Sequence, residues 1–375
     1  MFKIFISETS LENLLLEESS KKPDEQNYWY KILEKQKNVY VLLNRGVDYE
    51  SLSIEEAQLD PLFMFQQGGK RLVDKSDFIE AVTLNPEIVL NEPCGAYLLD
   101  IDSQKARDIQ NKYGVICQSA DSLDGAFWTS DIYNAHPVIN EKDSEHSWEQ
   151  ILRGLDNMPS NSLLVIDRNL FNREDKFKTT IQDGIDNLFS ILRSVLPKSF
   201  SPFKDFHILV IFDGSELNHI KNTRLLFGDN NTSHSVEETF KELAKIINRK
   251  KRELSTSYPV VIELLSLTKD NIGYEYTHNR RVLSNYFVIR VDHLLKAFKN
   301  NEGSCPQNID CETLFATGVE RLSKSDTPEK AHAILLDNLK KALDQARGDA
   351  APNYRYALNK NTEKTVKELQ NRLFS

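Results

Sequence analysis

Three short apolar runs constrain this chain more than anything else in it: SLLVID at 162–167, FHILVIFD at 206–213 and PVVIELLSL at 259–267. Each is bounded, compact and rich in β-branched residues, so each reads as a strand. None alternates apolar and polar residues, which is the pattern of strands buried on both faces of a parallel sheet. Between them lie segments of helical period. Residues 178–196 place Ile181, Ile185, Leu188, Phe189, Leu192, Val195 and Leu196 on one face, and Pro197 ends the run. Ser235 with Glu238 makes a capping box ahead of the stripe Val236, Phe240, Leu243, Ile246 and Ile247. Strand, helix, strand, helix, strand predicts a three-layer α/β unit with right-handed crossovers. The run VLSNYFVIRV at 282–291 reads as a further strand.

The first half repeats this grammar. A strand at 3–7 precedes a helix opened by a Thr9/Glu12 capping box, and 27–36 is helical. A strand at 38–43 and a helix capped by Ser53 follow. Residues 96–101, 104–112 and 115–118 form a β-α-β unit. Residues 121–147 are turn-rich and mark a domain boundary. Beyond the sheet residues, Thr327 and Pro328 open a helix over 328–345, and a shorter helix is predicted near 361–373. A chain of 375 residues exceeds one ordinary core. The expectation is an α/β protein with an N-terminal α/β domain (1–130), a second α/β domain (145–305) and a helical C-terminal extension (306–375).

Composition narrows the function classes. The 47 basic against 56 acidic residues give a net charge of −9, so the chain is no general polyanion binder, although a local basic patch can still take a phosphate. Cys94, Cys117, Cys305 and Cys311 form no CxxC pair and fit reduced, structural thiols. No window approaches eighteen apolar residues and the start lacks signal-peptide features, so a cytoplasmic protein with no membrane span is expected. The phosphate-cradling motifs GxGxxG and GxxxxGK[ST], the hydrolase elbow GxSxG and the zinc motif HExxH do not occur, so no cofactor or metal is expected.

Three groups of residues could carry chemistry. Asp167 and Asp213 end two strands, where they either cap the following turn or, as a pair at the carboxyl edge of a parallel sheet, hold a divalent ion. The run Arg249-Lys250-Lys251-Arg252 ends the helix begun at Ser235. It either complements that helix's dipole or contacts phosphate. The third group is THNRRVLSNYFVI, in which His278, Arg280 and Asn285 fit the spacing H-x-K-x4-D with Arg for Lys and Asn for Asp. A neutral imidazole can attack phosphorus, a cation two residues on can hold phosphate oxygens, and a side-chain oxygen further along can fix the tautomer. Arg281 adds a further cation there.

With SLLVID, FHILVIFD and VVIELLSL before it, this segment resembles the phospholipase-D-like superfamily, in particular its branch related to the C-terminal domain of MIT proteins, found also in bacterial proteins of defence systems. The resemblance covers about 160–300. It implies a phospholipase-D-like α/β domain in which His278 is the nucleophile and Arg280 takes the lysine's role. It also implies a place in an antiviral defence assembly, with a protein partner or a second copy of the chain, and nucleic acid as a candidate ligand. Active members need two such motifs, and here His219-Ile-Lys221 supplies only the first half of a second one, with Leu226 at its end. With Arg280, Asn285 and no following glycine-serine pair, the expectation is a degenerate site acting in nucleic-acid or partner binding. The alternative is a metal-independent phosphodiesterase or nuclease.

Overall fold

The computed structural model describes residues 2–36, 38–43, 53, 71–74, 76–123, 135–143, 146–172, 176, 178–198, 204–215, 217–228, 234–267, 280–299, 303–314, 328–348, 354–357, 362–364 and 371–374. The chain is α/β, built on two main sheets. In the first sheet β1 (Lys3–Ser7), β2 (Val39–Leu43), β3 (Arg71–Asp74), β4 (Gly95–Leu99) and β5 (Ile116–Ser119) lie in the order β3-β2-β1-β4-β5. All its pairings are parallel. Among the described residues the helices of this half are α1 (Glu8–Glu18), α2 (Tyr28–Lys35), α3 (Ser76–Leu84) and α4 (Ser103–Tyr113).

Strand period two divides this sheet's side chains between two cores. Ile4, Ile6, Val39, Val41, Ala96 and Leu98 pack with Leu11, Leu14, Trp29 and Ile32 of α1 and α2. Phe5, Leu42, Tyr97 and Leu99 pack with Val82, Ala106 and Ile109 of α3 and α4. Both faces are covered, so the strands are apolar throughout. Helix α1 starts directly after β1, so Ser7, whose Oγ accepts from the Ser10 N–H at 3.4 Å, is the cap in place of Thr9. The helix predicted after Ser53 lies outside the described residues.

Among the described residues the second sheet has nine strands, in the order β16-β15-β9-β8-β7-β10-β11-β14-β6. At its centre β7 (Ser162–Ile166), β8 (Phe206–Phe212) and β9 (Val260–Ser266) are parallel. They are joined by α6 (Ile181–Val195), α7 (Ile220–Phe227) and α8 (Val236–Lys251), with the short α5 (Trp148–Ile151) ahead of β7. The Ser235/Glu238 capping box is present. Two glycines mark close approaches. A Cβ on Gly184 of α6 would stand 1.8 Å from the Leu170 carbonyl oxygen, and one on Gly214 would stand 2.1 Å from Ser266 Oγ.

Two expectations need correction. The run 282–291 is a hairpin, β10 (Arg280–Ser284) and β11 (Phe287–Val291), because Ser284 Oγ accepts from the backbone N–H groups of Tyr286 and Phe287, each at 3.0 Å, and reverses the chain. Residues 306–375 are not helical alone. β14 (Gln307–Thr313), β15 (Tyr354–Ala357) and β16 (Thr362–Lys364) all join the sheet, beside the helix α9 (Pro328–Gly348). Within the turn-rich stretch 121–147, β6 (Val138–Ile139) pairs with Gln307–Asn308 at the far edge of this sheet. The β14–β6 and β15–β9 pairings are non-local, which a local period does not reveal.

The two sheets meet through the β10–β11 turn, at their amino edges. Tyr286 Oη donates to the Gly95 carbonyl at 2.7 Å and accepts from the Ile116 N–H at 2.9 Å, at the starts of β4 and β5. Asn285 Oδ1 accepts from the N–H groups of Asn161 (3.0 Å) and Ser162 (3.2 Å), at the start of β7. Its Nδ2 donates to the Pro93 carbonyl and to Asn161 Oδ1. Residues of both sheets belong to one core cluster. Fastening the sheets by their amino edges leaves both carboxyl edges away from this seam, and those edges are where α/β proteins bind ligands.

Candidate anion-binding edge

At the carboxyl edge of the larger sheet, Asp167 follows β7 and Asp213 follows β8. Asp167 is fully buried; Oδ1 accepts from the Asn169 N–H at 2.9 Å and Oδ2 from the Leu295 N–H at 2.8 Å. Burial pushes its carboxyl above the usual range, while the Arg280 charge and these N–H bonds pull it back. Asp213 Oδ1 accepts from the Ser215 N–H at 2.9 Å, and Oδ2 lies 3.4 Å from Arg168 Nε. Both carboxylates therefore turn inward, onto backbone N–H groups and arginines, in the manner of turn caps. Among the described residues no group of three or more His, Cys, Asp or Glu could hold a metal ion.

The cations at this edge come from distant segments. Arg280, at the start of β10, places Nε 3.9 Å from Asp167 Oδ1, and its Nη1 donates to the Asp292 carbonyl at 3.3 Å. Lys296 is buried and donates to the Asn172 carbonyl oxygen. A cleft of about 240 Å³ is lined by Glu141, Lys176, Lys178, Lys299, Ser304, Cys305 and Pro306. Lys176 and Lys178 lie in the loop that leaves β7. Lys299 and Ser304 lie on the small hairpin of β12 (Phe298–Lys299) and β13 (Gly303–Ser304), which follows β11. Three ammonium groups against one carboxylate give the cleft local positive charge in an acidic chain. Lys178 has φ of 53°, a left-handed backbone that costs a non-glycine residue about 1–2 kcal/mol. Burial raises the Cys305 thiol, against the pull of Lys299 and Lys296. All four cysteines are buried free thiols.

The residues singled out from sequence fall in different places. His278 lies outside the described residues. Arg280 stands at the carboxyl edge beside Asp167, whereas Asn285, past the other end of β10, is buried in the amino-edge seam. The strand separates the two by its whole length. Arg281 projects from the sheet face opposite Arg280, by the alternation of a strand. The basic run sits where α8 ends, near the amino end of β9. Lys250 pairs with Asp186, Lys251 Nζ donates to the Val260 carbonyl at 3.0 Å, and Arg249 lies 3.8 Å from Glu242. Arg252, exposed, begins the 3-10 turn Arg252–Leu254. None of this run borders the lysine cleft. The cleft itself had no sequence signal: Lys178 and Lys299 are far apart in the chain and neither belongs to a motif.

No protein-family model matches this chain, and no curated protein matches it. Among the described residues, no helix is long and apolar enough to cross a membrane.

Proposed function

We propose that this protein binds a phosphate-bearing ligand, nucleic acid in the first place, at the carboxyl edge of its larger sheet, as a non-cleaving member of a bacterial antiviral defence assembly. The observation that carries the binding role is the lysine cleft, Lys176, Lys178 and Lys299 around about 240 Å³, with the Lys296 charge acting on its lining residue Cys305. Lysines on separate segments, converging at the edge where α/β sheets bind ligands, suit a backbone phosphate. The defence setting, with a protein partner or a second copy of the chain, rests on the sequence resemblance alone. The inward-turned Asp167 and Asp213 argue against a two-carboxylate metal mechanism at this edge.

The test is fluorescence anisotropy with labelled single- and double-stranded oligonucleotides across a salt series. Lys178→Ala/Lys299→Ala is expected to weaken binding tenfold or more and to flatten the slope of log K against log salt by about 1–2, roughly one unit for each phosphate no longer neutralised. Affinity and slope unchanged in that variant would refute the cleft as the site.

Arg280 favours a second reading, because it reaches this same edge two residues after His278. Here the protein is a metal-independent phosphodiesterase with His278 as nucleophile. Cleavage of an oligonucleotide that survives chelator and disappears in His278→Ala would establish it in place of pure binding.

A further inference from the structure

On the opposite face of the same sheet, two arginines stand directly across from one another. In the antiparallel β10–β11 ladder, Arg281 is the Cα partner of Arg290. Like charges placed so repel, and burial sharpens the repulsion. Two acids share this face, on β14. Glu312 Oε2 lies 3.3 Å from Arg290 Nη2, yet the buried Nε and Nη2 of Arg290 and Oε2 of Glu312 make no hydrogen bond. Asp310, the Cα partner of Arg290 on its other side, is turned to His136, with Oδ1 3.2 Å from Nδ1. Arg281 is flanked across β7 by Ile166, an apolar residue. Among the described residues it has no carboxylate within ion-pair distance. Burial, then the neighbouring Arg290, draw its guanidinium down to about 10.

The two acids thus serve Arg290 and His136, which leaves Arg281 without a counter-charge among the described residues and the buried Nε and Nη2 donors of Arg290 without an acceptor. Buried donors without acceptors are rare in folded proteins and call for a partner. Two guanidinium groups side by side match a tetrahedral oxyanion, each offering a planar fork of N–H donors. We propose that Arg281 and Arg290 together bind a phosphate group, at a second site separate from the lysine cleft. The site rests on the cross-strand pair and stands whether or not the cleft binds nucleic acid. A phosphate there would neutralise the repulsion and take up the donors of Arg290. Its source is either a small phosphorylated molecule or the phosphate of a nucleic acid.

The experiment is isothermal titration calorimetry of the full chain carrying Lys178→Ala/Lys299→Ala, so that the cleft does not contribute. The probes are inorganic phosphate, pyrophosphate, and an oligonucleotide with and without a 5′-phosphate. Saturable phosphate binding is expected, at least tenfold weaker in Arg281→Gln and intermediate in Arg281→Lys, which keeps charge but loses the fork. Arg252→Gln, an exposed arginine elsewhere, should leave it unchanged. Equal affinity in the Arg281→Gln chain, equal weakening by Arg252→Gln, or no saturable binding at all would overturn the proposal. Thermal melts of each variant confirm folding, and Arg281→Lys supplies the readout should Arg281→Gln fold poorly. Displacement of bound inorganic phosphate by the 5′-phosphorylated but not the unphosphorylated oligonucleotide assigns the phosphate to a nucleic-acid end. Binding of phosphate and pyrophosphate with no displacement by either oligonucleotide assigns it to a small molecule.

Discussion

Replacing Asn285 by aspartate separates the two roles this residue could have. A phosphotransfer site of the H-x-K-x4-D kind would gain its missing carboxylate from Asn285→Asp. The structure instead gives Asn285 four hydrogen bonds in the seam between the sheets, two accepted by Oδ1 and two donated by Nδ2. Aspartate keeps the accepted pair but faces the Pro93 carbonyl and Asn161 Oδ1 with a second oxygen, in a position with no solvent exposure. The least costly response is for the carboxyl to stay protonated. Holding that proton at pH 7, about three units above an ordinary aspartate pKa, costs about 4 kcal/mol at 1.36 kcal/mol per unit. One acceptor still lacks a donor, which adds about 1–3 kcal/mol. A group whose folded pKa is raised loses stability as pH rises above its unfolded value, so the penalty grows by about 1.4 kcal/mol per unit from pH 4 to 7. Urea unfolding followed by tryptophan fluorescence at pH 5 and pH 7 measures this, and pH 5 keeps the variant foldable. A variant within about 1 kcal/mol of the parent at pH 7, or one that gains phosphodiesterase activity, would refute the seam assignment.

Tyr286→Phe removes the hydroxyl that serves both Gly95 and Ile116, and should cost about 2–4 kcal/mol through two unmet backbone groups. Denaturant midpoints check this. Gly184→Ala places a methyl against the Leu170 carbonyl and should destabilise by about 1–3 kcal/mol, read as a lower Tm. His332 is buried on α9, with Nε2 2.9 Å from the Ser284 carbonyl oxygen, and burial lowers its pKa to about 4. Because the folded value is depressed, the unfolded chain takes up this proton first, and about 3 kcal/mol of stability should be lost as pH falls from 6.5 to 4. His332→Gln should flatten that part of the pH–stability curve.

The apolar runs at 162–167, 206–213 and 259–267 are long enough, β-branched enough and well enough separated by amphipathic helices to determine β7, β8 and β9 without help. The helices between them were equally legible, because a stripe such as Ile181 to Val195 and a box such as Ser235/Glu238 are local properties of the chain. The class α/β follows from those alone. Tertiary structure alone decided how the sheet is completed: β6 and β14 pair across about 170 residues of sequence and β15 pairs with β9, so no local period announces where they join. It also decided what Asn285 does, since a hydrogen-bonding amide reads identically in a motif and in a seam. The lysine cleft belongs to tertiary structure for the same reason. Lys178 and Lys299 are ordinary surface residues until the β7 loop and the β12–β13 hairpin bring them to one edge. The Arg281–Arg290 opposition appears only once the turn at Ser284 folds one apolar run into a hairpin and sets its register.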